Sequence, residues 1–193
     1  MNTPPSSDRL PPLPQERWSA AQQSAAAALI ASPRGALRGP FVPLLRSPEL
    51  LDRAQQLGEY LRYRCAVPEP LREFAILLVA RHWSQAYEWH VHAPLAERSG
   101  TPAAAIAVLA RNERPPGLDA ARATIYDFCE QLQQRHAVDD DTWARAVRLL
   151  GEAGAVDLCG LCGYYTLLAM VMNAARTPAP ADPANPFSPG AGD

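Results

Sequence analysis

Apolar residues recur along this chain at the three- and four-residue spacings of helix faces. There is no clean alternating β-branched run and no Asn-Gly hairpin signal, so strands are not expected. The pattern predicts a first helix from about 15 to 31. Residues 32–43 then break it with Pro33, Pro40, Pro43, Gly35 and Gly39, in a loop that also carries Arg34 and Arg38. Ser47-Pro48-Glu49 is a helix start with a capping hydroxyl, a proline in the first turn and an acid near the positive end. That helix runs to about Cys65.

After Pro68 and Pro70 the chain is almost continuously helix-compatible and very apolar from Leu71 to Glu97. A break near His82 to Ser84 is expected, with Ser84 as a second cap. Gly100 ends this unit, and Thr101-Pro102 opens a short helix to about Arg111. A loop over 112–118 follows, then a helix from Asp119 to about His136, and one capped by Asp139 to Asp141 that Gly154 ends. The last helix, about 155–175, is apolar nearly all round and is expected to be buried in the domain or in an oligomer interface. The sum is an all-α bundle of about eight helices.

Residues 1–14 and 177–193 are rich in Pro, Ser, Gly and Asp and lack an apolar period. Such segments bury too little surface to offset their ordering entropy, so they read as disordered tails around one helical domain over 15–176. The net charge of −2 is interspersed, with no basic patch, so nucleic acid is not an expected partner. No apolar run is expected to approach the roughly 20 residues that span a bilayer, and the polar, Pro-rich N-terminus does not read as a signal peptide. No membrane partner is therefore expected, and a cytoplasmic location is. All 18 basic residues are Arg. Schiff-base chemistry, Lys-anchored pyridoxal phosphate and the P-loop Lys are thereby excluded.

The apolar stretch between 71 and 97 is interrupted by Glu73, His82, Glu88, His90 and His92. Buried ionisable groups are costly unless paired, so their density needs a reason. Glu88 and His92 are four apart and share a helix face, with Gln85 one turn earlier. A carboxylate beside an imidazole raises its pKa and fixes its tautomer, which suits proton transfer near neutral pH. Glu73 reaches the same spot if the chain turns back near His82. His90 points elsewhere, His-x-His on one helix does not chelate, and no metal is expected.

These residues carry a resemblance. The segment is similar to the carboxymuconolactone decarboxylase / alkylhydroperoxidase D-like family. In the family's peroxidase branch a Glu is followed, after eleven residues, by Cys-x-x-Cys, then three residues and a His. Laid on this chain, Glu73 takes the Glu position, Gln85 and Glu88 the two Cys positions, and His92 the His position. The thiols are gone, as in the branch without them, whose Glu-Trp-x-x-His signature resembles Glu88-Trp89-His90-Val91-His92. Ala96, Gly100, the loop from Arg34 to Phe41 and Gly163-Tyr164-Tyr165 also suit the group, so the likeness covers about 15–175 and is closest over 71–100.

The resemblance implies an alkylhydroperoxidase D-like helical fold and a homo-oligomer, a trimer or hexamer with a dimer also open. It implies a cofactor-independent lyase acting on a small carboxylated lactone or related ring, in the setting of aromatic catabolism. His92 would donate the proton, Glu88 orient it and Glu73 tune it. Arg is the natural carboxylate clamp, with Arg34 first and Arg38 and Arg81 behind it. Gln85, Tyr87, Trp83 and Trp89 would line the pocket.

Two alternatives stand beside this. One is a thiol-dependent hydroperoxide reductase, a peroxiredoxin-like activity using Cys159 and Cys162. The other is a non-catalytic helical oligomer with a relict ligand pocket. Cys65, Cys129 and the Tyr164-Tyr165 pair read as packing, and His136 as a cation at a helix end.

Overall fold

The computed structural model describes residues 8–181 and 185–187. Among the described residues the chain is all-helical, with eight α-helices and no strand: α1 (Ala20–Ala31), α2 (Phe41–Leu44), α3 (Pro48–Tyr63), α4 (Glu69–His82), α5 (Ala86–Arg98), α6 (Ala103–Ala110), α7 (Ala120–Arg135) and α8 (Asp140–Ala175). The total matches the sequence pattern, but the partition differs. Short α2 forms inside the Pro-rich stretch read as loop, and the last two expected helices are one element.

α4 is the central helix, packed by α5, α7 and α8. From Phe74 to Ala80 every residue is buried, which is why this segment shows no polar face. α1 packs on α3, whose buried stripe runs through Leu51, Ala54, Gln55, Gly58 and Leu61 at helical spacing. Local signals set the boundaries. Ser19 and Gln22 form a reciprocal capping box at α1, while Asp119 and Asp139 accept the Arg122 and Thr142 amides at α7 and α8.

The break between α4 and α5 falls where the sequence placed it, with a different cap. Ser84 takes a left-handed conformation (φ 47°), and the cap is Gln85, whose side chain accepts the Tyr87 amide at 2.7 Å. The break in α8 lies at Gly151, not Gly154. Gly151 has φ 74° and ψ 169°, a region open essentially to glycine alone. Gly154 stays helical, and glycine fits there because a Cβ would stand 2.6 Å from that of Leu150.

By length and composition α8 is apolar enough to cross a membrane, contrary to the expectation that no run approaches that length, because the last two expected helices are one element. Half of its apolar window is buried inside the fold. Leu158, Leu161, Cys162, Tyr164, Tyr165, Leu168 and Met172 are all core residues.

The segments expected to be tails lie on the helices wherever they are described. The Arg9 amide donates to Ala175 O at 2.8 Å, and Trp18 Nε1 donates to Leu13 O at 2.8 Å. Asn185 is buried and donates through Nδ2 to Ala86 O at 2.8 Å. Phe187 meets the Trp89 ring edge-to-face at 5.7 Å and lies under the Arg81 guanidinium. Proline already restricts the unfolded chain, so a few anchors suffice to order such a segment. The remaining parts of the expected tails, 1–7, 182–184 and 188–193, lie outside the described residues.

Gly151→Ala has open space for its methyl group. The backbone conformation alone should lower stability by about 1–3 kcal/mol, read by urea unfolding. Unchanged stability would show that α8 tolerates a regular helix there.

Candidate active site

The site begins with a carboxylate in the wrong place. Glu73 lies in the first half of α4, 2% exposed, on a helix otherwise given over to the core. Two neighbours reach it. His92 Nδ1, from α5, lies 2.6 Å from Glu73 Oε2. Arg62 Nη2, from α3, lies 3.8 Å from Glu73 Oε1. On the other side of the ring, His92 Nε2 is 3.4 Å from Glu88 Oε2, one turn earlier in α5. The imidazole is therefore held between two carboxylates, with Nδ1–H donating to Glu73.

Burial drives the His92 pKa down, but the hydrogen bonds to Glu73 and Glu88 outweigh it and hold the ring above its ordinary value. Burial likewise pushes Glu73 up, and His92 and Arg62 together overcome it and hold the carboxyl below its ordinary value. Both shifts favour the charged forms, imidazolium on His92 and carboxylate on Glu73. Arg62 is partly desolvated, yet Tyr165, Glu73 and the groups around them reinforce its charge.

In front of His92 is a cavity of about 480 Å³. Among the residues that line it are His92, Glu88, Arg62 and Tyr165. Its wall is the loop after α1, through Arg34, Arg38 and Phe41, with Tyr87 from α5 and Pro180 from the C-terminal segment. The Tyr165 ring stands perpendicular to the imidazole at 5.1 Å and perpendicular to Tyr164 at 5.3 Å.

Arg34 is fixed by three contacts. Its Nη2 donates to the Tyr164 hydroxyl at 3.0 Å, its guanidinium lies 4.7 Å from the centre of the Phe41 ring, and its amide donates to Ser32 Oγ. Gly58 on α3 makes room, since a Cβ there would fall 2.1 Å from the Tyr164 hydroxyl and 2.2 Å from Arg34 Nη2. Gly39 (φ 57°) does the same for the Tyr87 ring, whose Cε1 would stand 2.3 Å from its Cβ. Burial pushes the Tyr164 hydroxyl up to about 12, so it is a neutral partner for Arg34. Arg34 Nε is buried with no partner among the described residues, and Arg38 is exposed at the cavity edge. Three guanidinium groups thus face a space that ends on an imidazolium.

Glu73, Glu88, His92, Arg34, Arg38 and Tyr87, all singled out from sequence, meet here, and His90, expected to point elsewhere, is in the cavity lining as well. Three expected as pocket lining do not. Gln85 caps α5 and donates to Asn173 Oδ1 at 2.7 Å, so its amide is spent on structure. The Trp83 indole donates to Thr166 at 3.2 Å, and Trp89 packs on Phe187. Arg81 also lies against Phe187, outside the cavity.

The cysteines are arranged differently from a Cys159-x-x-Cys162 couple. Cys162 Sγ faces Cys129 Sγ on α7 at 3.6 Å, with both residues fully buried. Their hydrogen bond and their burial push the Cys129 thiol well above its ordinary value, and burial raises the half-buried Cys159. Thiols so shifted are poor nucleophiles.

Sequence reasoning missed Arg62 and read Tyr165 as packing. A signal existed for both. Arg62 is four residues after Gly58, on the edge of the buried stripe of α3, and Tyr165 continues the stripe of Leu158, Leu161 and Leu168. Among the described residues no group of three or more His, Cys, Asp or Glu has metal-binding geometry. No family model matches the chain, and no curated protein matches it.

Because the folded state lowers the Glu73 pKa, its contribution is present above the ordinary value of 4.5 and is lost as pH falls through the lowered one. Because it raises that of His92, that contribution is present below 6.5 and is lost as pH rises through the raised one. The advantage of wild type over a Glu73→Gln/His92→Gln double variant should be greatest between pH 4.5 and 6.5 and shrink on both sides. A pH-independent difference in urea unfolding would remove the ion pair. Glu73→Ala alone, which strands a buried cation, should destabilise by about 3–5 kcal/mol.

Proposed function

We propose that this chain is a cofactor-independent lyase of the carboxymuconolactone decarboxylase type, acting on a small carboxylated lactone or related ring by His/Glu acid–base chemistry. The observation that carries the reading is the imidazolium of His92, held between Glu73 and Glu88 in the lining of an arginine-walled cavity. Loss of CO2 from such a ring needs three things: a grip on an anion, a sink for the electron pair, and a proton for carbon.

Arg38 at the edge and Arg34 in the wall supply the grip, since a guanidinium fork matches two carboxylate oxygens. Arg34 is already ordered by Tyr164 and Phe41, so little freedom is lost when a ligand arrives. His92 holds the proton. Its Nδ1–H is committed to Glu73, which leaves the Nε2–H, beside Glu88, as the one to give. Glu88 keeps that ring face aligned, and Glu73 stabilises the charged ring between turnovers.

The same reading places the protein in the cytoplasm as a homo-oligomer, a trimer, hexamer or dimer. Leu50, Leu57, Tyr60 and Tyr63 on α3 and Val156 on α8 are large apolar residues left exposed, which supports association between copies.

The test is turnover of carboxylated γ-lactones, with ligands first found by thermal shift against small carboxylates and lactones. His92→Asn should lower kcat by about 10²–10⁴-fold, the usual worth of a general acid. Arg38→Ala should raise KM about tenfold with kcat little changed, as expected for one charge-assisted contact made equally in ground and transition states. Wild-type turnover by the His92 variant would remove the proposed role.

A further inference from the structure

We infer that Tyr165 is a second catalytic residue: its hydroxyl donates a hydrogen bond to the oxyanion that forms on the ligand while His92 supplies the proton. The inference rests on the acid–base reading above and extends it to the electron sink, which the carboxylates and the arginine wall leave unassigned.

The geometry is specific. Tyr165 sits on α8, 3% exposed, and lines the cavity beside His92, Glu88 and Arg62. Its ring packs edge-on against His92, so hydroxyl and imidazole open onto the same space. Buried hydroxyls nearly always find a partner. The neighbouring Tyr164 has one in Arg34. The Tyr165 hydroxyl has none among the described residues, and it is not sealed into the core either, since the residue faces the cavity. Whatever fills the cavity is therefore its partner.

Burial keeps the phenol protonated well above its ordinary titration range, so it donates rather than repels. Arg62, 3.8 Å from Glu73, adds a positive charge in the same lining. Donors fixed in a dry site before charge develops stabilise the transition state more than the ground state.

The step balances as follows. The bond to the carboxylate carbon breaks and CO2 leaves. Its bonding pair moves through the conjugated double bond onto the carbonyl oxygen, which becomes an enolate. Tyr165 O–H hydrogen-bonds that oxygen and keeps its own proton. The pair then returns, the ring carbon takes the proton from His92 Nε2, and the carbonyl reforms. The imidazole regains its proton from solvent. No oxidant or reductant enters.

Tyr165→Phe tests this, because it removes the hydroxyl and leaves the ring against His92. No protein hydrogen bond is lost, so the variant should melt at the wild-type temperature. On a turned-over lactone its kcat should fall about 10²-fold with KM nearly unchanged, as for removal of one oxyanion donor. Tyr164→Phe, which frees Arg34, should instead raise KM. Binding of 4-nitrophenolate, followed by its absorbance, gives a readout that needs no substrate. Tyr165→Phe should bind it at least about tenfold more weakly than wild type, the worth of a hydrogen bond to a charged oxygen.

If wild type turns over no lactone yet binds 4-nitrophenolate through Tyr165, the reaction class above fails and the donor stands. Equal 4-nitrophenolate affinity in wild type and variant overturns the donor. So does the absence of binding to both, and so does a variant with wild-type kcat.

Discussion

A carboxylate in the middle of a core helix is tolerable only if opposite charge and hydrogen-bond donors come to it. Glu73 meets that condition through His92 and Arg62, which arrive from α5 and α3. Three helices are thereby fixed relative to one another by one buried group. An unpaired charge there would be worth several kcal/mol against folding, a large fraction of the net stability of a domain this size. The turn at 83–85 follows from this need, because α5 must double back on α4 to bring His92 to Glu73. A left-handed Ser84 and a Gln85 cap make that turn possible in three residues.

The cavity is the other side of the same arrangement. Once His92 is clamped, one ring face looks outward, and the chain surrounds that outlook with guanidinium groups and aromatic rings. Two glycines decide how close the wall can come. Gly58 admits the Arg34–Tyr164 contact and Gly39 admits the Tyr87 ring, each at a distance that a single methyl group would forbid. The wall is thus set by backbone approach as much as by side-chain identity. The C-terminal segment completes it, with Pro180 in the lining and Asn185 tied to the first carbonyl of α5.

Much of this was legible in the sequence, for reasons that can be named. The helices announced themselves through periodicity and through Asp119 and Asp139 as caps. Glu88 and His92 were readable because four residues on a helix is one turn. Glu73 was readable because a charge in an apolar run demands a partner. The misses have physical causes as well. Arg62 and Tyr165 look like ordinary positions on amphipathic stripes, and only the packing of α3 and α8 beside α5 turns them toward His92. Trp89 is next to Glu88 but rotates away from it, since neighbours on a helix are 100° apart, while Trp83 and Gln85 are held in the turn between α4 and α5, Gln85 as the cap of α5. The Pro-rich ends lacked an apolar period, so contacts of their described residues, such as Phe187 on Trp89, could not be read from one.

The sulfur pair at Cys129 and Cys162 gives the protein a property unrelated to its chemistry. The two thiols meet at 3.6 Å across the α7–α8 seam, with no solvent-facing surface. A labelling reagent can reach either one only when that seam parts. Their rate of modification in native buffer, set against that of half-buried Cys159, is therefore a clock for sub-global opening of the bundle. The chain carries its own reporter of breathing, placed one helix away from the charges that hold it shut.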